Sequence, residues 1–577
     1  MLKIMTTQPL FFKQYYLACL SHASYLLGDR TTGRAVVVDP QRDVSEYLSD
    51  ASANGLTIDT VIETHFHADF LSGHLELASR TGATIVYGAA AAGRVGFPIR
   101  AMKNGEHLSL GSVDLEVLET PGHTPESICV LVREHADAEP VSVLTGDTLF
   151  IGDVGRPDLL SAVGFDADAL AKQLYESLHT KLMVLPDATL VYPAHGAGSA
   201  CGKNLSTETV STIGEQKRFN YALAPMVVED FVDVVTQGQT VAPLYFLFAA
   251  NKNREAHTLL NEESDITMLS LEEVLLHQAG GAVVIDSRDD MAFASGHLRG
   301  SINVGLSGRF AEYVGEVMEP GTPIVLVADP GTESEAKIRL GRIGFDNVIG
   351  ALSEPIGAFF LHPEHVVQAS RLPVETFTER IASVKSLVTI DVRNPGEVEL
   401  GSVPGARNVS LPALLRSLDE LDKSAPTVVY CAGGYRSSIA ASLLRSHGFT
   451  DVSDVIGGYT AWSNANIPSS MPLISAAEAA RDTTSLHLDV RELDEWEAGH
   501  DATAVHIAMA DLPAAAGSFD KSRKIICICR SGNRSGKVAA WLISRGLNAV
   551  NMTGGMQAWA ADGLPVVTNA GAAGTVI

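Results

Sequence analysis

The chain has 577 residues, too many for one hydrophobic core, so several domains are expected. Its 46% hydrophobic and 19% charged content is that of globular protein and excludes a disordered chain. A formal net charge of −26 argues against nucleic acid or an anionic membrane as a general partner, though not against local positive charge in a pocket. Six cysteines (Cys19, Cys129, Cys201, Cys431, Cys527 and Cys529) are too scattered for a disulfide scaffold and read as reduced thiols of a cytoplasmic protein. Met1 to Leu20 mixes Lys3, Lys13 and Gln14 into its apolar residues and has no secretory core. No apolar run approaches the roughly 20 residues of a membrane span.

Taken in order, residues 25–28 and 35–40 read as the two strands of a hairpin with 29–33 as its turn. Residues 44–54 suit a helix closed by Gly55. The apolar Thr60, Val61 and Ile62 read as a buried strand that delivers the loop Thr64-His65-Phe66-His67-Ala68-Asp69-Phe70. A helix over 73–80, a strand over 84–87, a half-buried strand over 113–118 and another strand over 127–132 follow. Periodicity by itself supports mixed α/β structure.

Two histidines at i and i+2 with a carboxylate at i+4 suit a loop folded inward around zinc, iron or manganese. Three later loops each place a ligand-capable residue after an apolar run: Thr120-Pro121-Gly122-His123, Thr145-Gly146-Asp147 and Tyr192-Pro193-Ala194-His195. This ordered set resembles the metallo-β-lactamase superfamily, which implies an αββα sandwich over residues 1–255. Its binuclear hydrolases use His-x-His-x-Asp-His, but the last position here is Phe70, which cannot ligate. His67, Asp69 and His195 are left as supporting residues or a weak second metal site. His65, His123 and Asp147 form a two-His, one-carboxylate set of the kind that leaves open positions on non-haem Fe(II) for substrate and O₂. Within the superfamily the match resembles the persulfide dioxygenases most closely, which implies one Fe(II) held by these three residues. The segment Gly152-Asp153-Val154-Gly155-Arg156-Pro157 also resembles that family, with Arg156 expected to hold the site or an anionic thiol carrier. Around Ser199-Ala200-Cys201-Gly202-Lys203-Asn204 and residues 211–218 the resemblance continues. There Lys217 and Arg218 suit the carboxylates of a glutathione-like substrate, Lys203 reads as a solvated face, and Cys201 as structural, with sulfur carriage its alternative role.

From about residue 265 the chain repeats with a period of roughly 100 residues. Each unit begins with a strand ending in Asp and followed by Arg: Asp286 and Arg288, Asp391 and Arg393, Asp489 and Arg491. A glycine follows (Gly296, Gly401, Gly499), then an apolar strand that opens a loop. The units resemble rhodanese domains, small doubly wound α/β folds expected over 265–365, 372–470 and 472–570, with the ligand site at the carboxyl end of the central strand.

The loops decide which units react. Cys431-Ala432-Gly433-Gly434-Tyr435-Arg436 and Cys529-Arg530-Ser531-Gly532-Asn533-Arg534 each open on a cysteine among converging N–H groups at the start of a helix, with Arg436 or Arg534 adding positive charge. Such a cradle suits a thiolate that carries sulfane sulfur as a persulfide. Four residues separate Cys from Arg, one fewer than in the dual-specificity phosphatases that resemble this fold, which favours sulfur over phosphate. The first unit has Asp329 at the nucleophile's place and Glu333 where the arginine is expected, and reads as inactive and structural. Cys527 and Cys529 share a face by period two, with Cys527 expected in the core.

Together these readings describe an enzyme whose first domain oxidises a low-molecular-weight persulfide, glutathione persulfide by default, with O₂ to sulfite and thiol. Cys431 and Cys529 exchange sulfane sulfur with thiosulfate or sulfite. A zinc glyoxalase-II-like thioester hydrolase with sulfurtransferase domains and a non-catalytic sulfur-carrier scaffold are the alternatives. A homo-oligomer is left open.

Overall fold

Alternation along the first strands fixes a layered architecture. A computed structural model of the chain describes residues 9–576 apart from 160, 162, 163, 204, 466–471, 516 and 518. The first eight residues, Asn204 and the boundary expected near residue 470 therefore lie outside the described residues. Strands Leu10–Leu17, His22–Asp29, Arg34–Val38, Thr57–Ile62, Thr84–Gly88 and Arg100–Met102 form one sheet in sequence order. Strands His107–Ser109, Asp114–Glu119, Ile128–Arg133, Ser142–Gly146, Leu190–Pro193 and Ser211–Thr212 form a second, again in sequence order. Tyr25, Leu27, Val36 and Val38 of the first meet Leu115, Val117, Val130 and Leu144 of the second in one core. Their neighbours in sequence, Leu26, Val37 and Val61, point outward and are covered with Tyr47, Ala51 and Leu77 of the helices Ser45–Ala53 and His74–Thr81. Both faces of the central strands are therefore buried, which is why residues 35–38 read as a continuous apolar run.

The strand expected as half-buried over 113–118 runs Asp114–Glu119, and only Glu116 and Glu119 in it are partly open. Leu118, on its outer face, is covered by Ala171 and Leu174 of the helix Ala167–Ser177. The result is the αββα sandwich.

Three five-stranded parallel sheets follow, all with the same strand order. In the first, the order is Met268–Leu269, Val348–Leu352, Ile324–Val327, Val283–Asp286 and Ile302–Asn303. One buried staple explains the Asp, Arg and Gly of each repeat. Arg288 binds the Asp286 carboxylate and donates to Gly296 O at 2.9 Å. Arg393 does the same with Asp391 and Gly401 O (2.8 Å), and Arg491 with Asp489 and Gly499 O (2.9 Å). The pair thus ties the end of a central strand to the turn after the next helix. Among the described residues no helix is long and apolar enough to cross a membrane.

The chain packs as two compact units. One comprises Met1–Ala369, Leu411–Asp422 and Ser442–Phe449; the other comprises Ser370–Ser410, Lys423–Ala441 and Thr450–Ile577. Inside the first, the sandwich and the first rhodanese-like sheet are joined through Arg42, only 1% exposed. Its guanidinium contacts Glu76 (2.9 Å), Asp346 (2.5 Å) and the carbonyls of Gly341 (2.8 Å) and Thr258 (2.6 Å). Arg342 reaches back to Asp43 at 2.6 Å, and its carbonyl accepts Leu71 N–H at 2.7 Å.

Candidate functional site

Three strands of the sandwich end at one buried place. Thr57–Ile62 leads to His65, Asp114–Glu119 to His123, and Ser142–Gly146 to Asp147. His65 Nε2 lies 3.7 Å and His123 Nε2 3.5 Å from Asp147 Oδ2, and a ligand atom of each lies within 4.8 Å of the others. His123 Nδ1 sits 2.9 Å from the Arg156 carbonyl, which requires the proton on Nδ1 and turns the Nε2 lone pair inward. His65 Nδ1 contacts Thr64 Oγ1 at 3.0 Å. Buried His65 Nε2 and Asp147 Oδ2 have no hydrogen-bond partner within the protein, a costly arrangement for donor and acceptor atoms not facing a cation. Burial holds the His65 imidazole neutral, well below its usual pKa. Burial alone would raise the Asp147 pKa, but His195 and His65 outweigh it and keep the carboxylate ionised. Neutral imidazoles and an ionised carboxylate are the ligand states a divalent metal needs, so the donor set fits one.

The supporting contacts come from residues that the sequence reading did not single out for the site. Asp39, in the left-handed backbone region at φ 49°, accepts Thr64 N–H at 2.7 Å and Thr64 Oγ1–H at 2.8 Å. Asn253 donates to the carbonyls of His67 and Phe70, both at 2.8 Å, and accepts from Ser72 N–H at 2.9 Å. Tyr245 Oη donates to Asp69 O at 3.0 Å. The Val38-Asp39-Pro40 strand end was the available signal for Asp39; Tyr245 and Asn253 carried none.

The residues expected around the metal set divide into two groups. His195 Nδ1 meets Asp147 Oδ1 at 2.8 Å, and its Nε2 meets Asp69 Oδ2 at 2.6 Å. These two carboxylates outweigh burial and raise the His195 pKa well above its usual value. Cys201 joins Asp69 and His195 within 4.8 Å, and burial, with Asp69 and Asp147, keeps it a thiol. His67 is elsewhere: its Nε2 faces Asp39 at 3.1 Å and Glu63 at 3.4 Å. Burial opposes its protonation, but the two carboxylates push its pKa up to about 10. Phe70 packs between His22 (4.0 Å between ring centres) and His67 (4.4 Å) as an apolar wall.

Arg156 is buried, and its guanidinium holds Asp158 through two bonds of 2.7 Å. Its contact with the metal set is the carbonyl on His123. Lys217 pairs with Asp187 at 2.6 Å, Arg218 lies exposed over the Phe219 ring, and Lys203 donates to Val234 O. Gly155 explains the close fit of this loop: a Cβ there would lie 1.9 Å from Asp147 O and 3.0 Å from the His123 ring. Gly155→Ala is expected to displace His123 and lower metal occupancy and activity roughly 10- to 100-fold, as read by metal analysis of the purified variant. Wild-type occupancy in that variant would contradict the assignment.

The thiol loops match each other. Gly434 N–H donates to Cys431 Sγ at 3.1 Å and Gly532 N–H to Cys529 Sγ at 3.2 Å. Ser535 Oγ, which donates to Asn551 Oδ1 at 2.7 Å, lies 3.2 Å from Cys529 Sγ, and Ser437 Oγ is 3.6 Å from Cys431 Sγ. Both arginines are clamped by a glutamate: Arg436 by Glu397 (2.7 Å twice) and Arg534 by Glu495 (2.6 Å twice). Counting from Asp391 and Asp489, the corresponding position after Asp286 is Ala292, so the first unit lacks this glutamate. Its loop also differs in detail from expectation. Asp329 to Ser334 has the spacing of Cys431 to Arg436, so Ser334 rather than Glu333 takes the arginine's place. Glu333 instead puts its carboxylate on Gly331 N–H at 2.8 Å, filling the cradle with the chain's own anion. Cys527 lies in the same core cluster as Cys529, and burial pushes its thiol pKa up.

Comparison with known proteins follows this division. The chain matches the metallo-β-lactamase superfamily over 17–195 and the rhodanese-like domain over 270–354, 374–465 and 474–562. It is 29% identical over 247 residues to persulfide dioxygenase ETHE1 of Bos taurus, covering 42% of this chain and 88% of that protein. A hydroxyacylglutathione hydrolase of Polaromonas is 36% identical over 173 residues, 30% of this chain and 61% of that protein. A crystal structure of a metallo-β-lactamase from Staphylococcus aureus superposes with a TM-score of 0.56 at 33% identity, covering 60% of this chain and all of that one. The chain belongs to the metallo-β-lactamase superfamily and carries three rhodanese-like domains behind its metallo-β-lactamase domain.

Proposed function

We propose that the sandwich is an iron-dependent persulfide dioxygenase, converting a low-molecular-weight persulfide, O₂ and water to sulfite and the free thiol, with glutathione persulfide as the default substrate. The observation that carries this reading is the buried set His65, His123 and Asp147 beside Phe70, which removes a ligand that a binuclear hydrolase needs. His65, His123 and Asp147 would hold Fe(II), which when bound would supply O₂ activation for oxidation of the persulfide sulfur. The protein's part is orientation and exclusion of water. Arg156 O fixes the His123 tautomer, and the Asp147–His195–Asp69 chain holds the carboxylate in place. Phe70 and His22 close an apolar wall. The 29% identity to a persulfide dioxygenase supports the reading.

In the second and third rhodanese-like domains, Cys431 and Cys529 serve as sulfur carriers. The thiolate attacks the outer sulfur of thiosulfate, the S–S bond breaks, and sulfite leaves with the electron pair. Run in reverse, the persulfide gives its outer sulfur to sulfite. The first rhodanese-like domain has no such thiol and serves as scaffold, tied to the metal loop through Arg342 O and Leu71 N–H. All six cysteines are free, which suits work in a reducing cytoplasm.

The hydroxyacylglutathione hydrolase relative favours a second reading, thioester hydrolysis. A product assay separates the two. Sulfite formed from glutathione persulfide in proportion to O₂ consumed supports the dioxygenase; hydrolysis of S-lactoylglutathione without O₂ uptake would refute it.

A further inference from the structure

The second compact unit holds a cavity of about 660 Å³ that opens beside one thiol loop and not the other. Ala432, Tyr459 and Trp462 of the second rhodanese-like domain line one side; Lys537, Trp541 and Arg545 of the third line the other. Ala432 directly follows Cys431, and Tyr459 N–H donates to Cys431 O at 2.6 Å, so the cavity wall is continuous with the backbone of that loop. Among the described residues the Cys529 loop contributes nothing to the lining.

The lining has donors to spare. Trp541 Nε1 is buried without a hydrogen-bond partner. Lys537 is half-buried, and burial lowers its ammonium pKa with no carboxylate among the described residues offsetting it. The Arg545 guanidinium lies 3.9 Å from the centre of the Trp541 ring. On the opposite side Glu397 is already neutralised by Arg436, and Glu399, the other lining carboxylate, is exposed. Tyr459 and Trp462 stack with ring centres 5.8 Å apart and add an apolar face. A cavity of this size with aromatic walls and unanswered donors suits an organic molecule bearing anionic acceptors.

We propose that this cavity binds the anionic low-molecular-weight thiol that exchanges sulfane sulfur with Cys431, so that the third rhodanese-like domain forms half of the acceptor site of the second. The inference rests on the reading of Cys431 as a sulfur carrier. The bound thiol loses its proton to solvent, and its thiolate attacks the outer sulfur of the Cys431 persulfide. The bond from that sulfur to Cys431 Sγ breaks, Sγ keeps the electron pair as thiolate, and the carrier leaves as a persulfide. Nothing is oxidised or reduced overall.

The test uses the full chain carrying Cys529→Ser, so that Cys431 alone reports, with thiosulfate as donor. Glutathione supplies carboxylates, coenzyme A phosphates, and 2-mercaptoethanol no charge. Lys537→Glu, and separately Trp541→Phe, which deletes the N–H donor while keeping an aromatic ring, are compared with the parent. A KM raised roughly tenfold for glutathione or coenzyme A, and not for 2-mercaptoethanol, is the expected result; whichever responds identifies the anion. Equal KM changes for all three thiols, or none, would overturn the site while leaving Cys431 as carrier. Absence of any thiosulfate–cyanide transfer in the Cys529→Ser parent would instead sink the reading of Cys431, and the cavity's role with it.

Discussion

Replacing His123 or Asp147 by alanine is expected to strip the sandwich of its metal and cut persulfide-dependent O₂ uptake by at least roughly two orders of magnitude. Thiosulfate–cyanide transfer by Cys431 and Cys529 should survive, because the thiol loops are built from other sheets with their own N–H donors. The two residues fail for different reasons. Loss of His123 removes a ring nitrogen whose orientation is fixed by the Nδ1 contact with Arg156 O. Loss of Asp147 removes the anionic donor and also leaves His195 facing Asp69 alone. Metal analysis and an oxygen electrode read the first effect; a thiosulfate–cyanide assay reads the second. Coupled loss of both activities would show that these residues support the whole fold rather than one site.

Arg42→Met should be the most damaging change away from either chemistry. Its removal leaves the Glu76 carboxylate, 3% exposed, buried without its cation, and breaks the contacts from the sandwich to Thr258 O and to Gly341 O and Asp346 of the first rhodanese-like domain. Deleting one partner of such a buried pair costs about 3 kcal/mol. Asp346 is half-exposed and adds little to that figure, since water can take over its charge. Scanning calorimetry of the intact chain should show the lowest unfolding transition moving down, with metal retention falling alongside because Leu71 N–H hangs on Arg342 O in the same interface. An unchanged thermogram would mean that this interface contributes nothing to stability.

Much of the architecture was legible because its signals are local. Strands that end in Asp, with Arg two residues on and Gly eight residues after Arg, mark each rhodanese-like repeat, and the buried staple shows why those types recur. His65, His123 and Asp147 were legible because each closes an apolar strand with a ligand-capable residue. What spacing could not show was the destination of a side chain within a loop. His67 stands two residues from His65, yet Asp39, 28 positions back, and Glu63, one loop turn back, capture its ring. Arg156 was expected to hold the site or a substrate; its charge goes to Asp158 and its carbonyl to His123. The glutamates clamping Arg436 and Arg534 were equally invisible, since the pairing joins residues 39 positions apart.

Metal stoichiometry of the anaerobically purified chain separates a single iron in the sandwich from a zinc centre. About one iron per chain is expected, lost in His123→Ala and Asp147→Ala, with O₂ consumed only when glutathione persulfide is added. One to two zinc ions per chain, with no O₂ uptake, would contradict the single iron.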